Sequence, residues 1–367
     1  MDDRHQFPVL DGLRGVAAIC VAVFHGCFIF GGKVLLPEAY LAVDFFFLLS
    51  GVVVAHAYER RLKAGQTLDY MIKRAIRLYP MILIGAVLGA LFYATNAQAR
   101  GFASLWIVAE LYVLASLCLP VLKDNIFPPS HGITPLNVPS WSLFFELFVN
   151  AVYGLTARFL QTRRLAAVVV LSFFLESIGI YHYRDANFGF HIPEFWWGFP
   201  RVVFPFFTGV LINRIMSVDR RRNLSLPPSL LAGVLVLTFV IRARGAFDAV
   251  LDLLDIALVY PAIIVLAMRA TPWRSELTVL KWLGVLSYPI YIIHHPLFMW
   301  MARILRGMNV RPDMHPYMWI SAAILGAGLC AAGIYHAYDL PIRAWLTRLQ
   351  KKSLSPVSSA GFPRDSR

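Results

Sequence analysis

The sequence predicts an all-α protein, a polytopic transmembrane bundle of ten or eleven helices. Of its 367 residues 58% are hydrophobic and only 15% are charged, against about 25% in ordinary soluble domains. The apolar residues form long runs without the period-two alternation of a membrane β-barrel strand. A helix needs about 20 mostly apolar residues to cross a bilayer, so these runs occupy most of the chain.

The candidate spans follow one another closely, and we predict one transmembrane domain over 7–345 with a short basic and polar tail over 346–367. The spans are 12–30, 40–57, 78–95, 102–122, 141–160, 165–182, 198–216, 227–241, 249–268, 282–304 and 317–339. Asp11 and Arg14 interrupt the first run, and no small-residue cleavage site follows it. We therefore expect a retained span and not a signal peptide.

The formal net charge of +13 comes from cations in the short connections between the runs. A nucleic-acid-binding protein would cluster them on one face, so we expect no nucleic-acid partner. The positive-inside rule places these connections in the cytoplasm. The cations are Arg60, Arg61, Lys63, Lys73, Arg74, Arg77, Arg163, Arg164, Arg214, Arg220, Arg221, Arg222, Arg343, Arg348, Lys351 and Lys352. Both termini are then cytoplasmic, with ten crossings if 102–122, which contains Glu110, is re-entrant or interfacial.

Three polar residues of the first span share one helical face. His25 follows Arg14 by 11 residues, which places it about 16 Å deeper on nearly the same face. Ionisable side chains are costly in a bilayer, so they face the bundle interior or a cavity. Either Asp11 pairs with Arg14 and His25 bonds a carbonyl, or Arg14 holds an anionic group and His25 accepts a proton.

A second basic group is the segment Lys73-Arg74-Ala-Ile-Arg77-Leu-Tyr79-Pro80. Arg74 and Arg77 are neighbours on one helical face, and Pro80 fits an early position in the next helix. Topology alone explains this pair. As a site, two guanidiniums offer forked, permanently charged donors that suit phosphate.

Two other segments place polar groups among aromatic residues. Asp44 precedes three phenylalanines and lies near the outer end of its span, where it could meet water or a polar acceptor, while Ser50-Gly51 is typical of close helix approach. A polar stripe with a spacing of four residues comprises Ser142, Glu146 and Asn150. Glu146 would either pair with a basic residue such as Arg14, or orient and charge a histidine.

A cluster of tyrosines and histidines lies in the span 282–304. Tyr288, Tyr291 and His295 share one face, with His294 beside them. Adjacent histidines point about 100° apart on a helix, and no metal-binding motif accompanies them. We expect a hydrogen-bonding cluster here and no metal.

Five of these motifs together resemble the acyltransferase 3 family of integral membrane O-acyltransferases, over essentially residues 7–345. The motifs are Arg14-x10-His25 after Leu-Asp-Gly-Leu, Asp44-Phe-Phe-Phe with Ser50-Gly51, Arg74-x-x-Arg77-x-Tyr79-Pro80, Trp141-Ser142-Leu-x-x-Glu146, and Ser287-Tyr288-x-Ile-Tyr291-x-x-His294. Two features depart from the family. Its late Glu-x-Pro is Asp339-Leu-Pro341 here, which we expect to close the last span, and no esterase-like domain follows.

The resemblance implies transfer of an acyl group, usually acetyl, from cytoplasmic acyl-CoA to a hydroxyl of a cell-surface or exported glycan, in a bacterial inner membrane. It implies that His25 is the essential histidine, supported by Arg14. It also implies that Arg74 and Arg77 belong to the acyl-CoA region. We add Tyr79 and Arg14 as further candidates for binding acyl-CoA, and Glu146 as a catalytic candidate. The candidate substrate-binding residues are Asp44, Trp141, Ser142, Tyr288, Tyr291, His294 and His295.

Two other classes of function stay open. A proton-coupled secondary transporter would use His25 and Glu146 as a relay, but it predicts inverted repeats that the sequence lacks. A non-enzymatic export subunit would tolerate substitution of His25. The aromatic connection 183–200 would either stack on sugars or anchor the protein at the interface. The acceptor, the acyl chain, the choice between direct transfer and an acyl-enzyme, and the oligomeric state are open.

Overall fold

The computed structural model describes residues 7–97, 102–123, 132–218, 224–243 and 246–354. Within these ranges the chain is helical, with two isolated β-bridges and no strand. The helices are α1 Pro8–Phe30, α2 Ala42–Lys63, α3 Thr67–Ala97, α4 Phe102–Ser116, α5 Trp141–Thr156, α6 Thr162–Tyr183, α7 Gly198–Val218, α8 Pro228–Val240, α9 Ala246–Leu254, α10 Tyr260–Arg269, α11 Arg274–Gly307, α12 Pro316–Ile334 and α13 Leu340–Leu354. The expected cytoplasmic residues Arg220, Arg221 and Arg222, and the side chain of Lys352, lie outside the described residues.

The all-α membrane architecture predicted from composition is confirmed. Eight helical segments of the described chain are long and apolar enough to cross a bilayer, fewer than the ten or eleven expected. The difference comes from short helices such as α4 and α8, which have 15 and 13 residues. Large apolar side chains such as Leu325 and Leu329 are exposed on the outside of the bundle, where a bilayer would cover them.

Two helix boundaries differ from the prediction. α3 is continuous from Thr67 to Ala97 with Pro80 inside it, so Pro80 does not begin a helix and the connection expected over 58–77 shrinks to 64–66. The apolar run marked only the lipid-embedded part of the helix, because charged residues such as lysine and arginine are good helix formers outside it. The last span likewise does not end at Asp339, since a π-helical turn leads directly into α13.

Three long helices at the centre of the bundle run parallel to one another. α1 lies along α11, with Gly15 so close that an added Cβ would lie 2.5 Å from the Leu283 carbonyl oxygen. On the other side of α11, Tyr288 donates a hydrogen bond to the Leu78 carbonyl of α3 at 2.7 Å, and Trp300 donates one to Leu88 at 3.1 Å. The N-terminal ends of all three helices therefore lie on the same face.

The α2 and α7 helices also pack backbone to backbone. A Cβ on Gly51 would lie 2.0 Å from the Phe206 carbonyl oxygen, and one on Gly209 would lie 2.1 Å from that of Leu48. Since backbone atoms cannot move aside as a flexible side chain can, only glycine fits at these crossings. The expectation that Ser50-Gly51 permits close helix approach is confirmed.

Candidate active site

The parallel helices and their neighbours line an open cavity of about 720 Å³, a volume that includes the solvent at its mouth. Its walls are contributed by α1, α2, α3, α5 and α11, and they combine phenylalanine and leucine side chains with polar groups. The polar lining residues are Arg14, Ser50, Arg74, Arg77, Ser142, Glu146, Ser287, Tyr288 and Tyr291. Residues from all five sequence motifs, which lie far apart in the chain, therefore meet around one space.

Three guanidinium groups face this cavity, and they differ in how they are neutralised. Arg14 pairs with Asp11 at 2.6 Å and donates a hydrogen bond from Nε to Ser287 Oγ at 3.0 Å. The buried Arg74 pairs with Glu146. Arg77 is exposed, and among the described residues it makes no hydrogen bond or ion pair.

The cavity therefore carries an uncompensated positive charge. The cations of Arg14 and Arg74 are matched by two carboxylates, and that of Arg77 is not matched within the described part of the chain. A guanidinium without a counter-ion that stands beside two further guanidiniums attracts anions, and its forked donors fit phosphate oxygens. The site is suited to phosphate or another polyanion.

Glu146, a member of the polar stripe on α5, faces the cavity. Its partner is not the histidine that a catalytic role would require. Its carboxylate accepts a hydrogen bond from Ser50 Oγ at 2.9 Å and pairs with Arg74. It does not contact His25, so its expected role as the group that orients this histidine is not supported. The alternative left open, a pair with a basic residue, is the observed one.

His25 lies beyond the cavity and is not one of the residues that line it. Its Nδ1 lies 3.1 Å from Nε2 of His294, and His294 Nδ1 lies 3.0 Å from the Ile290 carbonyl oxygen. The ring of His295 meets the ring of His25 edge-on, with centroids 5.5 Å apart. Of the cluster expected on α11, only part is observed: His294 is hydrogen-bonded to His25 of α1, whereas the tyrosines bond to other groups and His295 contributes a ring contact.

The hydroxyl groups of the cavity wall already have protein partners. Tyr291 donates a hydrogen bond to the Pro139 carbonyl at 3.0 Å, and its oxygen lies 2.8 Å from Ser142 Oγ. Tyr288 is held by its hydrogen bond to the Leu78 carbonyl. These side chains form the wall of the cavity on the α5 and α11 side.

Tyr79, which the motif grouped with the acyl-CoA region, does not line the cavity. Its hydroxyl donates a hydrogen bond to the Leu117 carbonyl of the segment after α4, at 3.5 Å. Two residues along a helix turn a side chain by about 200°, so Tyr79 points away from Arg77. Proximity in sequence to the arginine motif was misleading for this residue.

Asp44 is fully buried, and the expectation that it meets water or a polar acceptor is wrong. Arg201 of α7 donates to both carboxylate oxygens, from Nε at 3.0 Å and from Nη2 at 2.8 Å. Trp141 covers this guanidinium, with its ring centroid 5.2 Å away, so Trp141 is also part of this buried pair and not of the cavity wall. Arg201 was missed, although a lone arginine inside an apolar run signals a buried partner.

We expect Asp44→Ala to lower the free energy of unfolding by about 3–5 kcal/mol, because it removes the carboxylate that pairs with the buried Arg201. Replacing both members with apolar residues, as Asp44→Leu with Arg201→Met, should recover part of this loss. The melting temperature of the purified protein in detergent measures both effects. A substrate-binding role would instead leave the melting temperature of Asp44→Ala unchanged and raise the KM for the acceptor.

Sequence comparisons identify the family of the chain. A sequence model of the acyltransferase 3 family, described as an acyltransferase domain, matches residues 7–338. Protein 2 in the picA locus of Rhizobium radiobacter is 36% identical over 174 residues, which is 44% of this chain and 90% of that protein. The peptidoglycan O-acetyltransferase OatA of Listeria monocytogenes is 23% identical over 330 residues, covering 80% of this chain and 50% of its own length.

A further relative is the putative peptidoglycan O-acetyltransferase YrhL of Bacillus subtilis, 22% identical over 374 residues, covering 93% of this chain and 55% of its own length. The chain thus spans about half the length of the two O-acetyltransferases that it matches. No solved structure matches. The chain belongs to the acyltransferase 3 family, and by this membership it is an integral membrane O-acyltransferase.

Proposed function

We propose that this enzyme transfers an acyl group, acetyl in the first instance, from acyl-CoA to a hydroxyl of a cell-surface or exported glycan. The observation that supports this most strongly is the cavity in which Arg77, unpaired within the described residues, stands beside Arg14 and Arg74, with His25 beyond it. Acyl-CoA is both a polyanion and a thioester donor. The names of two relatives, peptidoglycan O-acetyltransferases, favour acetyl and a cell-wall glycan for this chain.

We further propose that the arginine end of the cavity faces the cytoplasm, in a bacterial inner membrane, with both termini on that side. The short connection between α2 and α3 is flanked by Arg60, Arg61 and Lys63, which are typical of a cytoplasmic loop. The N-terminal ends of α1, α3 and α11 share the face that the positive-inside rule assigns to the cytoplasm. Ten crossings follow if α4 is re-entrant, which the contact of Leu117 with Tyr79, well inside α3, supports.

The donor would bind with its phosphates at the arginines and its thioester towards His25. Arg77 supplies a guanidinium that no described residue pairs with, while Glu146, which accepts a hydrogen bond from Ser50, holds Arg74 in place. The distance along α1 from Arg14 to His25 is about 16 Å, a gap suited to an extended pantetheine arm. Tyr291 and Ser142 line this route, so we assign them to the donor passage.

His25 would act as the general base. The acceptor oxygen attacks the thioester carbonyl carbon as His25 takes its proton, the carbon–sulfur bond breaks, and the departing thiolate takes the proton from His25. In a variant, His25 itself attacks the thioester carbonyl carbon and the carbon–sulfur bond breaks to release the thiolate. The acceptor hydroxyl then attacks the acyl-histidine, the bond to the imidazole breaks, and the hydroxyl proton neutralises the thiolate. This variant lets donor and acceptor approach from opposite faces.

The transporter alternative is not favoured. It requires protons to pass between His25 and Glu146, whereas Glu146 is bound by Ser50 and Arg74 and does not contact the histidine. It also gives no role to Arg77, whose cation is unpaired in the part of the chain that the structure describes. The family match points to the same conclusion.

Mass spectrometry of surface polysaccharides tests the proposed reaction. We expect an ester, equivalent in mass to one acetyl group per modified sugar, in cells that carry the protein and its loss when the gene is deleted. Restoring the wild-type gene should restore the ester, and an empty vector is the matched control. Identical ester content with and without the protein would overturn the proposed acceptor class.

A further inference from the structure

We propose that His294 is the positioning residue that fixes the tautomer of His25, so that His25 Nε2 is the nitrogen that accepts the acceptor's proton. This inference rests on the proposed function, since it assumes that His25 is the base. It replaces two of our expectations from the sequence. Glu146 was expected to orient His25, and His294 was expected to bind substrate.

The hydrogen-bond pattern determines which nitrogen carries each proton. The Ile290 carbonyl can only accept a hydrogen bond, so His294 Nδ1, at 3.0 Å from it, carries a proton. In neutral His294 the Nε2 atom must then be an acceptor. Because His25 Nδ1 lies 3.1 Å from this atom, His25 donates from Nδ1; the Val21 backbone, one turn earlier on α1, is a further hydrogen-bond partner of this ring. Its Nε2 then keeps a lone pair that no described residue occupies.

The opposite tautomer of His25 would be unfavourable. With its proton on Nε2, the Nδ1 atom of His25 would face Nε2 of His294 as a second lone pair. His294 could then donate only by giving up its bond to Ile290 or by becoming charged. His294 is fully buried, and a buried polar group without a partner is strongly disfavoured.

The surroundings of the pair explain why a histidine, and not a carboxylate, performs this task. Phe24 and Phe298 pack on the two histidine rings, at centroid distances of 5.4 Å and 5.7 Å. The ring of His295 on α11 is the other titratable group that packs against His25. A carboxylate in this apolar position would be charged in the resting enzyme, at a high desolvation cost. A neutral imidazole accepts the same hydrogen bond without that cost.

The pair also accommodates the proton during transfer. As the acceptor oxygen bonds to the thioester carbon, its proton moves to His25 Nε2. The imidazolium keeps its Nδ1 proton hydrogen-bonded to His294 Nε2, which stabilises the positive charge. When the carbon–sulfur bond breaks, the sulfur takes the proton from Nε2, so both histidines return to the neutral form. No other reactant is required.

Two substitutions of His294 separate this role from simple packing. His294→Gln places an amide oxygen near the position of Nε2 and can accept the bond from His25, whereas His294→Leu cannot. We expect His294→Leu to lower kcat by at least about 100-fold, with the KM for acyl-CoA unchanged. His294→Gln should recover most of that loss. His315→Gln, at the exposed start of α12, is the control and should match the wild type.

A spectroscopic measurement on the wild-type protein does not depend on how these variants fold. After ¹⁵N-histidine labelling of the purified full-length protein, the His25 signals are identified by their absence in His25→Ala. We expect His25 protonated at Nδ1 in the wild type and in His294→Gln, and a shift towards Nε2 protonation in His294→Leu. Equal kcat losses for both His294 variants, or Nε2 protonation in the wild type, would overturn the proposal. Full turnover of His25→Ala would instead overturn the assignment of the base.

Discussion

His25→Ala in the purified enzyme should lower kcat for acyl transfer by about 10²–10⁴-fold, the usual contribution of a general acid–base group. The apparent affinity for acyl-CoA should change little, because His25 lies beyond the cavity that the three arginines line. Alanine removes both ring nitrogens, and no carboxylate of the described residues contacts His25 to take over its task. Turnover is measured as release of coenzyme A coupled to acylation of a glycan acceptor.

His315→Ala is the matched control for this experiment, since it also removes a histidine but lies exposed at the start of α12. It should keep the wild-type kcat. If His25→Ala turned over at the wild-type rate, the catalytic assignment would be wrong. An export subunit without enzymatic activity would then regain support.

Arg77→Ala should weaken the binding of coenzyme A by about 10- to 100-fold, because a charge-assisted hydrogen bond contributes about 1.5–3 kcal/mol. This position is a sharper probe than Arg74, whose removal would also leave Glu146 without its partner. Arg77 has no such partner among the residues described, so its loss changes ligand binding more than folding. The dissociation constant is measured by equilibrium binding to detergent-solubilised protein at fixed ionic strength.

Lys73→Ala is the control for charge alone. Lys73 lies on the same helix but pairs with Asp69 at 2.6 Å and does not line the cavity. It should leave the dissociation constant unchanged. An Arg77→Ala protein that binds coenzyme A as tightly as the wild type would contradict the phosphate site.

The sequence predicted the helical membrane class because the hydrophobic excess leaves no other stable arrangement of the backbone in a bilayer. It could not predict where each helix ends. α3 and α13 extend beyond the apolar runs because charged residues support a helix as well as apolar ones do. An apolar run therefore indicates the part of a helix that lies within the bilayer. The full length of the helix depends also on the residues outside the bilayer.

The sequence predicted which residues belong to the candidate site better than it predicted which of them contact one another. Arg14, Arg74 and Arg77 do face one cavity. Helical periodicity predicted the shared face of Arg74 and Arg77, and the family resemblance suggested Arg14 beside them. The partner of a buried polar residue depends on how neighbouring helices are aligned along the bilayer normal. The periodicity within one helix carries no information about that alignment. For that reason Glu146 was assigned to His25 when it holds Arg74.

The error for Asp44 has a different origin. Its position near the outer end of a span suggested exposure, but Arg201 from a helix more than 150 residues later neutralises it. An intramembrane aspartate and an intramembrane arginine in two separate apolar runs are each costly alone, and the pairing of the two could have been proposed from that cost. Asp44 and Arg201 can both be recognised in the sequence as ionisable residues inside apolar runs.

A structure of the enzyme bound to a non-hydrolysable acetyl-CoA analogue tests the proposed donor site and base most directly. We predict that the analogue's phosphates lie within about 3 Å of the Arg77 guanidinium. Its carbonyl carbon should lie about 3–3.5 Å from the position of an acceptor oxygen that is hydrogen-bonded to His25 Nε2. An analogue bound outside this cavity, or with its acyl end pointing away from His25, would contradict both assignments.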